Sequence, residues 1–228
     1  MKDIDQARTL AKLMVKIGNG LNRDTRAVLS NMNEPLGLAV GNALEVKEAI
    51  KSLHGEGPED LMNLCYTSGS IMLVQAHIAK TFGEGRKMLE QCIKDGSAFN
   101  KFLEMVKAQG GDISYILNPE KFPVAKNIIP ILAKEDGYVK DIDALGIGIS
   151  SMQLGGGRET LDDVIDMSAG IMLEKKVGDT VKKGDVLCYL HTNKTGDIVS
   201  HVTENVQKFF VLTKDYVVKP QVILEVID

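Results

Sequence analysis

The sequence predicts a mixed α/β fold, α+β overall, with a mostly helical part over residues 1–119 and a β-rich part over residues 120–228. Three observations carry this. Apolar residues recur at helical spacing up to Asn118-Pro119, and beyond that point apolar runs shorten while β-branched residues and glycines take over. The chain's 228 residues, 44% hydrophobic and 25% charged, also give enough ordinary globular material for one large or two small cored domains.

In chain order, Ile4, Ala7, Leu10, Ala11, Met14 and Ile17 form a helical stripe from Asp3 to Gly18, with Gly18 and Gly20 as stop signals. Arg26 to Met32 reads as a short buried strand. Val46, Ala49, Ile50 and Leu53 predict a helix that Gly55 ends. Pro58 is tolerated at a first helical turn, Glu59 and Asp60 complement the dipole, and Leu61, Leu64, Cys65 and Met72 continue a long amphipathic helix. Gly85 to Lys94 and Ser97 to Gln109 predict two more helices. In the second part, strands are expected at Ile128–Leu132, Gly137–Ile142, Gly170–Glu174, Asp185–His191, Val206–Leu212 and Gln221–Ile227. Asp162 to Met167 reads as one or two helical turns.

The most informative segment is Pro35 to Ile50, where a glycine-punctuated loop runs into an acidic helix. Gly37 and Gly41 permit turns that aim carbonyls inward, and Glu48 lies one to two turns into the helix, where it can add a carboxylate. Oxygen-only ligation suits K⁺, Ca²⁺ or Mg²⁺ and argues against zinc or copper. The same pattern is also what a plain turn and helix cap require.

The residues around this segment narrow the choice. Val15-Lys16-Ile17-Gly18-Asn19-Gly20, Ala27-Val28-Leu29-Ser30, Pro35-Leu36-Gly37 and Gly41-Asn42-Ala43-Leu44-Glu45-Val46 resemble the pyrimidine-nucleoside phosphorylases and their thymidine phosphorylase relatives. The likeness continues through Gly55-Glu56-Gly57-Pro58, Leu154-Gly155-Gly156-Gly157-Arg158 and Val177-Gly178-Asp179 to the C-terminus. The resemblance implies the C-terminal portion of the phosphorylase α/β domain, followed by a small β-rich C-terminal domain with a barrel-sandwich-like hairpin. It also implies a K⁺ site from the backbone carbonyls of Leu36 and Ala39 and the carboxylate of Glu48. The parent would be a cytoplasmic, homodimeric pentosyltransferase of nucleoside salvage, acting on a pyrimidine nucleoside and phosphate without an organic cofactor. The family's Lys-His-Ser and Gly-Gly-Thr phosphate motifs, and the groups that grip the pyrimidine, lie upstream of the matching segment. No Lys-His dipeptide and no Gly-Gly-Thr occurs here. The chain is therefore expected to be a phosphorylase fragment without catalytic or substrate-binding residues, starting at a methionine internal to the complete protein and inactive alone.

Two other motifs compete for a role. Val177 to Leu187 resembles the hairpins of lipoyl and biotinyl carrier domains and sets Lys194 where an acceptor lysine would sit, but His191 and Asn193 replace the carboxylates that usually flank it. A carrier domain or a non-catalytic interaction module is the alternative reading. Gly155-Gly156-Gly157-Arg158 could form an anion nest, yet no Gly-Lys-Ser/Thr follows, and three glycines read as a mobile connection. His54 and His77 read as structural, and Cys65, Cys92 and Cys188 as small hydrophobes too scattered for a zinc cluster. The net charge of −4 offers no basic surface for nucleic acid. No stretch approaches the ~20 apolar residues of a membrane span.

Overall fold

A computed structural model describes residues 3–228. Helix α1 (Ile4–Gly20) leads to strands β1 (Ala27–Ser30) and β2 (Ala39–Gly41). Helices α2 (Asn42–Leu53), α3 (Glu59–Gln75), α4 (Phe82–Lys94), α5 (Ser97–Ala108) and α6 (Ser114–Leu117) follow. Then come β3 (Asn127–Leu132), β4 (Gly137–Ile142), α7 (Ala144–Ser151) and a π-helical turn at Met152–Gly156. The chain continues with β5 (Gly170–Leu173), β6 (Thr180–Val181), β7 (Val186–Thr192), α8 (Asp197–Phe209), β8 (Phe210–Thr213) and β9 (Ile223–Ile227). The fold is a mixed helix-and-sheet one with small antiparallel sheets.

The chain forms two compact units from interleaved segments: residues up to Asn31, Glu59–Ser97 and Gln221–Asp228 make one, and Met32–Pro58 with Ala98–Pro220 the other. In the first unit β1 pairs with β9 at the far end of the sequence. Asp3 caps α1 by accepting from the amides of Asp5 and Gln6. Ala11 and Val15 of that helix pack with Ile227, Ala27 and Leu29. The stripe read from the sequence is thus only partly buried, because Leu10, Met14 and Ile17 are exposed. Arg8 Nε donates to Glu225 Oε2 at 2.6 Å, tying α1 to β9.

In the second unit the strand order β2-β5-β7-β3 makes a four-stranded sheet, and β6-β4-β8 makes a three-stranded one. Strands of both sheets and helices α7 and α8 share one core, which includes Val139, Ile147, Leu154, Ile171, Leu190 and Val202, all fully buried. Each such side chain contributes roughly 1.5–3 kcal/mol by leaving water.

Three expectations are corrected. Residues Val206 to Phe209 finish helix α8, and only Phe210–Thr213 is strand. Val202, Val206 and Phe210 are buried at helix-like intervals, a period that the aromatic and aliphatic residues of 206–212 mask when read alone. Asp162 to Met167 is not helical. There Asp163 Oδ2 accepts from the amides of Glu159 and Thr160, and Asp166 Oδ1 from the Ser168 amide and hydroxyl, so side chains take over the hydrogen bonding a helix would need. The triple glycine is not a loose connection: Leu154 and Gly155 are buried, Gly155 O accepts from Asp166 N, and Gly156 O accepts from Asn42 Nδ2 at 2.8 Å.

Candidate functional site

The loop and helix read from the sequence converge on one carboxylate. Glu48, on the inner face of α2, is 8% exposed, and its Oε1 accepts from the amides of Leu38 at 2.9 Å and Ala39 at 3.1 Å. Two amides on one ionised oxygen make charge-assisted hydrogen bonds, the kind that justifies burying a carboxylate. Gly37 has φ +67° and passes so close over the carboxylate that an added Cβ would run into Glu48 Oε2. At the helix start, Glu45 Oε1 reaches back to the Gly41 amide at 2.7 Å, in the manner of a capping box.

The strand ladder sets the carbonyls. Leu173 N donates to Leu38 O at 2.7 Å, and Ala39 pairs with Met172 one step on. Carbonyls alternate from edge to edge along a strand, and β2 is an edge strand, so the Ala39 carbonyl faces off the sheet. Of the three residues that the family resemblance implies as cation ligands, Ala39 and Glu48 meet through the Ala39 amide, and Leu36 lies two residues before Leu38 on the same loop. Carbonyl and carboxylate oxygens are the ligand types that a hard cation takes, and not those of zinc or copper. Among the described residues no group of three or more His, Cys, Asp or Glu side chains is gathered as metal ligands.

A lysine that the sequence reading did not assign to this loop reaches it from 141 residues away: Lys176 Nζ donates to Pro35 O, and to Gly37 O at 3.1 Å. Glu34 Oε2 lies 3.7 Å from the same ammonium and accepts from Val177 N at 2.9 Å. Beside the loop is a cavity of about 520 Å³ lined in part by Leu38, Leu44, Lys47, Glu48, Pro119 and Met172.

Burial first and the Lys47 charge second hold His191, on β7, below the ordinary imidazole range. As pH falls, the unfolded imidazole takes its proton at a higher pH than the folded one. Stability from this group is then complete above about pH 7 and declines below it until the folded imidazole also protonates. Chemical-denaturation midpoints measured from pH 7.5 to 5 should show that decline, and His191→Gln should flatten it.

Lys194 follows β7 and precedes α8, with its Nζ donating to Gln153 O at 2.9 Å. Its neighbour Asn193 donates to Asp166 Oδ2 at 2.8 Å and to Ser168 Oγ at 3.0 Å. Burial pushes the Asp166 carboxyl up, but the hydrogen bonds from Ser168 and Asn193 outweigh it and the net direction is down. An ammonium held on a carbonyl is poorly placed as the root of a swinging arm. Intact-mass measurement of protein from cells with lipoyl and biotin ligases should show no added cofactor on Lys194.

Residues 1–99 match the family model described as "Glycosyl transferase family, a/b domain", and residues 138–210 match the "Pyrimidine nucleoside phosphorylase C-terminal domain". Among curated proteins, the chain is 49% identical over 209 residues to the pyrimidine-nucleoside phosphorylase of Geobacillus stearothermophilus, covering 91% of this chain and 48% of that protein. The Staphylococcus epidermidis protein of the same name (strain ATCC 12228) is 51% identical over 193 residues, covering 85% of this chain and 45% of that protein. The Bacillus subtilis protein is 49% identical over 209 residues, with 91% and 48% covered. The chain spans about half the length of the curated relatives it matches.

Proposed function

We propose an activity from a plain premise: the chain belongs to the pyrimidine-nucleoside phosphorylase family. The parent protein cleaves the N-glycosidic bond of uridine or thymidine with phosphate, releasing the base and a pentose 1-phosphate, in the cytoplasm and as a homodimer. That reaction must stabilise an oxocarbenium-like sugar and an anionic pyrimidine while phosphate is aligned with C1′, so its catalysis is positioning plus electrostatics. This chain contributes the loop closed on Glu48 and the C-terminal domain, and the groups that bind phosphate and pyrimidine are not among its residues. The observation that best supports this reading is the burial of Glu48 under a loop whose spacing matches the family's cation site.

A K⁺ held by the Leu36 and Ala39 carbonyls and Glu48 would supply fixed positive charge that braces a phosphate-binding loop. Three oxygens are about half of what a large hard cation prefers, so binding to this chain is weak. A complete site would add ~2.7 kcal/mol of stability at a hundredfold excess of ion over Kd. Melting curves in KCl and in an equal concentration of tetraethylammonium chloride should superimpose. A K⁺-specific rise that Glu48→Gln abolishes would show that the site is already complete here.

A further inference from the structure

The loop already holds a cation, and it is covalently part of the protein. Lys176 Nζ donates to Pro35 O and to Gly37 O at 3.1 Å, and Glu34 Oε2 lies 3.7 Å away at ion-pair distance. An ammonium has donors and no acceptor, and the loop offers it carbonyl oxygens to bond and a carboxylate at ion-pair distance. The ion pair is largely shielded, with side chains 15% and 14% exposed. Its base is fixed as well, since Lys176 N donates to Asp179 Oδ2 at 2.9 Å and Val177 N to Glu34 Oε2 at 2.9 Å.

We propose that Lys176 is a positioning residue of the cation loop: its tethered ammonium does the work of a free ion in closing residues 34–39 over Glu48. The coupling runs through three successive residues. Lys176 fixes the Gly37 carbonyl, Gly37 lies directly over Glu48 Oε2, and the next two amides, of Leu38 and Ala39, donate to Glu48 Oε1. Positive charge beside Glu34 offsets the cost of burying acidic groups in this loop, a service otherwise left to a dissolved cation. The carbonyls that Lys176 takes, those of Pro35 and Gly37, are not the Leu36 and Ala39 carbonyls assigned to K⁺, so closure does not consume the ion's own ligands. The proposal takes the loop's cation role from the reading above but is tested on loop closure in Lys176 variants, while that reading is tested on K⁺-dependent melting and its loss in Glu48→Gln, so the two fail separately.

The test is amide hydrogen exchange of Leu38 and Ala39, read against the core amide of Leu190. In K⁺-free buffer the wild-type Leu38 and Ala39 amides should be protected, and K⁺ should leave them unchanged. Lys176→Met should lose about tenfold or more of that protection with Leu190 still protected, and K⁺ should restore part of it. Lys176→Arg, which keeps the charge, should retain it. Protection in Lys176→Met equal to wild type, or a loss that neither arginine nor K⁺ repairs, would overturn the proposal. Should Lys176→Met not fold, the wild-type titration and the arginine variant still decide: K⁺-dependent protection in wild type, or an arginine variant with an open loop, overturns it.

Discussion

Gly41→Ala should lower the stability of the protein by about 3 kcal/mol or more, the sum of a forbidden backbone conformation and a backbone clash. Gly41 sits at φ +137° and ψ 175°, a region that is essentially glycine-only. A Cβ there would stand 2.7 Å from the Ala169 carbonyl oxygen and 2.9 Å from Gly170 Cα, both backbone atoms that no rotamer change can move. Its register partner is Gly170, so two glycines let β2 and β5 approach at the point where the loop enters α2. Relief of the clash would pull β2 from β5 and lift Leu38 and Ala39 from Glu48. Denaturant midpoints check this, with Gly83→Ala as the control. Gly83 lies in the first turn of α4 with nothing near its would-be Cβ, and alanine there should leave stability unchanged or raise it by up to about 0.5 kcal/mol.

Much of this junction was legible in the sequence because its determinants are local. Glycines at 37 and 41, a helix start, and a glutamate seven residues past the second glycine are read from one window, and the structure gathers them. The longer helices of the first 108 residues were equally readable, since their apolar spacing is short-range. What escaped the reading is long-range or ambiguous. The β1 and β9 pairing joins the two ends of the chain, and nothing local to Ala27–Ser30 names its partner. Lys176 was hidden for the same reason: a lysine in a Lys-Lys pair reads as solvated surface until the fold carries it 141 residues back to Pro35. At α8, helix and strand periods overlap over the short run 206–212, and the buried face from Val202 onward decides the matter only over a longer window. The 162–167 segment carries helix-compatible residues, but the side chains of Asp163 and Asp166 satisfy the backbone in a non-helical form.

The second large effect concerns chemistry. Phosphorolysis requires groups that grip phosphate and groups that receive charge on the pyrimidine, and such electrostatic positioning commonly accounts for most of the rate. The sequence carries no Lys-His dipeptide and no Gly-Gly-Thr. Glu48 is committed to the Leu38 and Ala39 amides, and Lys176 to the loop carbonyls. The strongest buried charges of the loop thus hold it in shape.

The most direct measurement is therefore release of uracil or thymine by the purified 228-residue chain, incubated with uridine or thymidine in phosphate buffer containing K⁺. The account predicts no free base above a protein-free blank. Phosphate-dependent release of base that co-purifies with this polypeptide, and is absent from a mock preparation of the same cells, would contradict it.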